Sequence, residues 1–396
     1  MRRRLQFTLA LALTAGACLA IAPRLGALVT PPAYADAVDG VLPATVETDP
    51  SVFDDLGQSP VESRDVDLVL CLDTSGSMEG LLDSARARLW DIVNEVSERE
   101  PDARLRVAVL TFGSPNEAPA SQGFVRVRSG LTTDLDSLYE EVMSLRTAGG
   151  DEYVGWTLHT ALTQLEWSSQ DEAARLIFIA GNESADQNPG GYDFRQQARM
   201  AQQRGIVVNS IFAGDRAHGQ NEHWAEVAAF GGGIYSHIDQ HAGTHQVHTQ
   251  YDAEINRLNE ELNATYIPMG EAGQAKYDKV KSNDRSAGSL GSGSTTSRVA
   301  AKSSNQYDTS GWDLVGAIKK GFDVRHARAE QLPAVMQDMS EEEREAYVDL
   351  KKDEQDQVKR KISELYRQRK AEVAAEAPAA DGLDSRIESA LDAQLQ

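Results

Sequence analysis

Between residues 65 and 238, short runs of consecutive apolar residues alternate with longer stretches whose apolar positions recur every three or four residues. "DVDLVLCLD" (65–73), "RLRVAVLTFG" (104–113), "ARLIFIAG" (174–181) and "IVVNSIFAG" (206–214) are the runs, and "GIYSHI" (233–238) is a shorter one. Continuous apolar strands of this kind are buried on both faces. Between them, Leu81, Ala85, Leu89, Ile92, Val93 and Val96 fall on one face of a helix, and "DLDSLYEEVMSLR", "VGWTLHTALTQLEW", "DFRQQARMAQQRG" and "HWAEVAAFGGG" have the same period. The alternation predicts a doubly wound α/β unit, a mainly parallel sheet with helices on both faces. "GFVRVRSGL" (123–131) alternates with period two and follows a loop too short for a helical crossover, so it predicts one antiparallel edge strand. In such sheets ligands bind where strands end and helices begin.

After about residue 245 the pattern becomes mostly helical and polar. "YDAEINRLNEEL" predicts an amphipathic helix, and "YIPMG" a turn or short strand. The Gly/Ser-rich segment at about 282–304 predicts a flexible stretch. "SGWDLVGAIKKGFD" resumes structure, with "DTSGW" (308–312) as its helix cap. A long charged helix follows; Ser340 and Glu343 form its capping box, and Tyr347, Leu350, Val358, Ile362 and Leu365 line a narrow seam. That seam has two uses, packing on the chain's own domain or coiled-coil self-association. The last residues, from "EVAAEAPAADG" on, are expected to be loosely held.

The N-terminus changes the picture of where the chain works. Arg2, Arg3 and Arg4 precede an apolar run from Leu5 to about Ala22, and small residues at Ala33 and Ala35 suit cleavage after Ala35. Residues 1–35 therefore predict a signal peptide, an exported chain (periplasmic, cell-surface or secreted) and no membrane span after cleavage. Cys18 in "TAGAC" is a poor match to a lipoprotein box. Residues 36–64, rich in Pro, Asp, Ser and Val without periodicity, predict an exposed linker. Loss of residues 1–35 removes four arginines and no acids, taking the net charge from -22 to -26. That charge repels nucleic acid and anionic membranes. Of the two cysteines only Cys71 remains, inside an apolar run, as a small buried core residue.

The candidate chemistry sits at the end of the first strand. In "LVLCLDTSGSMEG" (68–80), Asp73, Ser75 and Ser77 place a carboxylate and two hydroxyls at alternate positions on a tight loop. Such oxygens suit a hard divalent cation, Mg²⁺ first, with Mn²⁺ or Ca²⁺ as alternatives. A simpler use is helix capping by the serines, with Asp73 tightening the turn. "DTSGSM" after an apolar strand, in this frame, resembles the von Willebrand factor type A (VWA) domain over about residues 65–240. The continuation "WDIVNE" resembles a bacterial branch of that family. The resemblance implies a Rossmann-like fold and a metal-ion-dependent adhesion site. It also implies a protein partner offering an acidic side chain to the metal, while the sequence itself carries no visible support for catalysis. It further implies a threonine ligand from a later loop and a second aspartate after the fourth strand. Here "TAGGDEYVG" puts Asp151 in the threonine's place with Thr147 upstream, and Asn182 and Glu183 stand where the second aspartate belongs. Asp73, Ser75, Ser77 and Asp151 are thus the expected metal ligands, with Thr147, Asn182 and Glu183 as further donors.

Two rival readings stand beside this one. In the first, the metal site is degenerate, the domain is a scaffold, and binding occurs through the C-terminal helices. In the second, His237, His241, His245 and His248, spaced by four, four and three, hold the metal of a hydrolase. Gly243 interrupts any helix that would align those histidines, and no nucleophile elbow, phosphate-binding loop or zinc-hydrolase motif is present in the sequence. Trp90, Trp156 and Trp167 are expected in the core, and Glu183 and Asp186 on a polar loop at the rim of the site.

Overall fold

The computed structural model describes residues 63–187, 191–238, 247–328, 332–376 and 383–395. Its first part alternates strands and helices: β1 (Asp65–Asp73), α1 (Glu79–Arg99), β2 (Arg104–Phe112), β3 (Arg126–Thr132), α2 (Leu135–Ser144), α3 (Val154–Gln164), β4 (Ala174–Gly181), α4 (Phe194–Gln203), β5 (Val207–Ala213), α5 (Arg216–Asn221), α6 (Trp224–Gly231) and β6 (Gly232–Ile238). Helices then follow one another: α7 (Asp252–Asn263), α8 (Gly270–Leu290), α9 (Ser292–Ser303), α10 (Leu314–Lys319), α11 (Ala334–Gln337), α12 (Glu341–Glu376) and α13 (Leu383–Gln394). Among the described residues no helix is long and apolar enough to cross a membrane.

The six strands form one sheet in the order β3-β2-β1-β4-β5-β6. β2 and β3 pair antiparallel at one edge and every other pair is parallel, as the apolar pattern predicts. β1 is central, and all nine of its residues are buried. Its side chains serve two cores because successive residues point to opposite faces. Leu68, Leu70 and Leu72 pack with α1 and α2, whereas Val69 and Cys71 pack with α3, α4 and α6. The chain leaves β1 toward β2 on one side and later fills β4 on the other. The ends of β1 and β4 therefore flank a topological switch point, where a crevice opens. Asp73 ends β1 and Gly181 ends β4 at that crevice.

The C-terminal part departs from expectation in two places. The Gly/Ser-rich stretch at 282–304 is not a flexible segment: it forms the end of α8 and all of α9. Ala287, Ser294, Thr296, Ser297, Ala300 and Ala301 are buried there, so its small side chains let α9 lie close against α1 and α8. Nor are residues 383–395 loosely held. Ile387, Ala390, Leu391 and Leu395 of and after α13 enter the same core as Leu68 and Trp90, beside α1, β5 and β6.

The capping box of α12 forms as predicted, Ser340 N donating to Glu343 Oε2 at 2.8 Å and Glu343 N to Ser340 Oγ at 3.3 Å. The seam of α12 packs within the chain, on α7 and α9. Val358 and Ile362 are buried with Val348 and Tyr366, but Leu350 is 55% exposed and lies off the seam. The cap of α10 is Asp313, whose carboxylate accepts from Gly316 N at 2.9 Å, rather than a residue of 308–312.

Candidate functional site

The loop after β1 is shaped by Asp73, whose Oδ1 accepts from Ser75 N at 2.6 Å. The serines do not cap α1: its first turn is preceded by Met78, with no side-chain cap. Their hydroxyls instead face each other, Oγ to Oγ at 3.5 Å, with Ser75 buried and Ser77 exposed. From the end of β4, Asn182 Nδ2 donates to Ser77 Oγ at 2.9 Å, tying the two strand ends together across the switch point.

The carboxylate that joins Asp73 is Glu152 and not Asp151. Asp151 is exposed and accepts a 2.7 Å hydrogen bond from Tyr153 OH. Glu152 is fully buried, and its Oε2 accepts the amides of Asn182 at 3.4 Å and Glu183 at 3.1 Å. The reason lies in α3. With Val154, Leu158 and Ala161 in the core, the chain entering the helix turns Glu152 inward and its neighbour outward. Thr147 is also outside the group, its hydroxyl donating to Glu79 Oε2 at 3.0 Å. Glu183 reaches the site only by its backbone; its exposed carboxylate accepts from Gln187 Nε2 at 2.6 Å.

Gly113, just past β2, makes room for the two acids. Its φ is +81°, and a Cβ there would lie 2.6 Å from Asp73 Oδ1 and 3.2 Å from Glu152 Cγ. Burial, reinforced by the Glu152 charge opposite, raises Asp73 well above the usual carboxylate range, and burial raises Glu152 as well. Three buried oxygens here find no donor among the described residues: Asp73 Oδ2, Glu152 Oε1 and Asn182 Oδ1. Buried acceptors without partners are costly, and three in one crevice suit a shared positive charge, either a proton between the two raised acids or a bound cation. Together with the two serine hydroxyls they make an all-oxygen donor set containing two carboxylates, which fits a hard divalent cation.

Of the expected ligands, the structure thus gathers Asp73, Ser75, Ser77 and Asn182, and leaves Asp151, Thr147 and the Glu183 side chain outside. Glu152 was missed, although its place two residues before the apolar face of α3 was a signal that it points inward. His241 and His245 lie outside the described residues. His237 lies in β6, and His248 Nδ1 is 2.9 Å from Ser292 Oγ. Among the described residues no three His, Cys, Asp or Glu side chains cluster as metal ligands. Asp186 on the rim is paired with Arg195 at 2.8 Å. Trp90 is fully buried, while Trp156 and Trp167 are partly buried against the core.

The family model of the von Willebrand factor type A domain matches residues 67–234. Among solved structures, the chain is similar at 15% identity to proximal thread matrix protein 1 from the mussel byssus, one form of which has a zinc-occupied MIDAS motif. That match covers 44% of this chain and 42% of the other, with a TM-score of 0.35. It is likewise similar to the SpRpn10 VWA domain, at 15% identity over 44% of this chain and 88% of that one, with a TM-score of 0.32. The chain thus spans less than half the length of the mussel protein that it matches. The search of curated proteins finds no match. With its sheet order, its one antiparallel edge and its Asp73-x-Ser75-x-Ser77 loop at the switch point, this chain carries a von Willebrand factor type A domain, a module that commonly mediates metal-dependent protein–protein interaction.

Proposed function

We propose that this chain is an exported binding protein, acting without catalysis, that recognises a protein partner through a divalent cation held at the switch point by Asp73, Ser75, Ser77, Glu152 and Asn182. The observation that carries the reading is the convergence of three donor-less buried oxygens with two serine hydroxyls. Held there, the cation would supply a Lewis-acidic centre whose remaining position takes a ligand atom from the partner, in adhesion or in assembly of a complex. Mg²⁺, Mn²⁺ and Ca²⁺ all suit oxygen-only donors, and the first is the reference ion for the test. The signal-like residues 1–35 support a periplasmic, cell-surface or secreted location; they lie outside the described residues.

Self-association through the C-terminal helix has less support, because the apolar seam of α12 is already covered by α7 and α9. The test is calorimetric titration of the full chain, stripped of metal, with each of the three ions, beside the Asp73→Ala variant. Saturable binding lost in the variant supports the reading. Absence of binding by a folded wild-type chain defeats it.

A further inference from the structure

We propose that the C-terminal helices form a covalent cross-link of their own: Lys302 of α9 attacks the side-chain amide of Asn263 at the end of α7. Ammonia leaves, an isopeptide bond joins the two helices, and Asp284 of α8 carries the protons. This is a single self-modification and not enzymatic turnover.

The geometry is that of a nucleophile, an acyl group and a proton carrier brought together away from water. Lys302 is fully buried, and Asn259 and Asn263 are buried beside it. Lys302 Nζ donates to Asn263 Oδ1 at 2.6 Å, to Asn259 Oδ1 at 2.8 Å and to Asp284 Oδ2 at 2.9 Å. The same Asp284 oxygen accepts from Asn263 Nδ2 at 2.9 Å and from Asn259 Nδ2 at 3.0 Å. One carboxylate oxygen therefore touches both the attacking nitrogen and the nitrogen that must leave. Turning either amide over would set donor against donor at Lys302 and oxygen against oxygen at Asp284, so the network fixes their orientation. With an amide C=O bond of about 1.2 Å, Nζ lies no farther than about 3.8 Å from Asn263 Cγ, near the attack separation of about 3–3.5 Å. Asn263 is the last residue of α7, where a helix frays, whereas Asn259 lies within it, so Asn263 is the freer to close the remaining gap.

A lysine becomes a nucleophile where burial and a neighbouring cation favour its neutral amine. Burial holds Lys302 below its ordinary range even with Asp284 beside it, and Arg298 acts in the same direction. Burial would raise Asp284, but Lys302 and Arg298 outweigh it and keep the carboxylate ionised, ready to take a proton. Once Asp284 has taken a proton from Nζ, the amine lone pair forms the bond to Asn263 Cγ and the carbonyl pair moves onto Oδ1. As that pair returns, the Cγ–Nδ2 bond breaks. Two protons pass in all from Nζ to Nδ2 through Asp284, so lysine ammonium and carboxamide become secondary amide and ammonium. Asp284 ends ionised beside Arg298 as it began, nothing is oxidised or reduced, and no co-reactant is needed. The bond would clamp α9, which packs on α1 and α8, to α7.

The test is peptide mapping by mass spectrometry of the full chain, denatured and cut with trypsin. Cleavage after Arg257 and Lys276 releases Leu258–Lys276, which holds both asparagines, and cleavage after Arg298 frees the segment that holds Lys302. The expected result is these two peptides joined, about 17 Da lighter than their sum by the loss of one ammonia, with no cleavage after Lys302. A second cut after Glu260 and Glu261 separates the two asparagines, and Lys302 is expected to stay with the Asn263 fragment. Asp284→Asn and Asn263→Ala are expected to lose the joined peptide.

Separate wild-type peptides of unaltered mass overturn the proposal, and because the wild type decides this alone, a variant that fails to fold does not protect it. The same loss of mass on Leu258–Lys276 without Lys302 attached is an asparagine cyclised onto its own backbone, and also overturns it. A joined peptide that persists in Asp284→Asn overturns the role of Asp284, and one linked through Asn259 overturns the choice of Asn263.

Discussion

Arg298 of α9 reaches Asp136 of α2 at 2.8 Å, with the arginine side chain 1% and the aspartate 9% exposed, so an ion pair shut off from water joins the C-terminal helices to the sheet domain. Asp284 of α8 accepts from Arg298 Nε at 2.6 Å, and the guanidinium carbon lies 4.8 Å from the centre of the Trp90 ring. Removing one member of a buried network leaves the others as uncompensated charges, at a cost of about 3–5 kcal/mol. Arg298→Met is therefore expected to lower the urea midpoint strongly. An unchanged midpoint would mean that this ion pair adds nothing to holding the two parts together.

Leu391 on α13 and Leu350 on α12 make a contrasting pair. The first is fully buried in the core against α1 and the sheet, and the second is 55% exposed. Leu391→Ala is expected to cost about 2–5 kcal/mol, as core truncations do. Leu350→Ala is expected to stay within about 0.5 kcal/mol, as at ordinary surface positions. Chemical denaturation of both variants checks this, and comparable effects would contradict the placement of α13.

How legible these features were depends on how local their causes are. Asp73, Ser75 and Ser77 could be read directly, because three alternate positions and one apolar strand define the loop. The choice between Asp151 and Glu152 could not, since adjacent acids differ only in which way the chain faces as it enters α3. The helices at 282–304 were hidden for a related reason. Glycine and serine lower helix propensity, and only the close approach of α9 to α1, which small residues permit, makes burial the stronger effect. Ile387, Ala390 and Leu391 do have helical spacing, but they follow "AAEAPAADG", a run that reads as the end of structure.

Acid should weaken the junction in a defined direction. Burial alone would raise the Asp284 carboxyl, but Lys302 at 2.9 Å and Arg298 overcome this and hold it well below its ordinary 3.8. A carboxyl depressed in the folded state contributes stability that is complete above the unfolded value and is lost as pH falls toward the folded one. The thermal midpoint is thus expected to drop progressively below about pH 4. Asp284→Asn should have a lower midpoint at neutral pH and a flatter acid limb. A variant with the same acid slope as wild type would remove Asp284 from the explanation.

Gly113 and Asp73 allow the cation site to be tested without altering any ligand. A methyl group at Gly113 would sit 2.6 Å from Asp73 Oδ1 on a backbone with φ of +81°, so Gly113→Ala must displace the carboxylate or strain the turn. Binding to the folded state alone stabilises it by about 2.7 kcal/mol at a hundred times the dissociation constant. Saturating Mg²⁺ or Mn²⁺ should accordingly raise the thermal midpoint of the wild type, and a chelator should reverse the rise. In Gly113→Ala the midpoint without metal is expected to change modestly while most of the metal-dependent rise disappears. The rise acts through the ligands and the strain acts through the backbone, so the two effects separate. An undiminished rise in Gly113→Ala would place the cation somewhere other than beside Asp73.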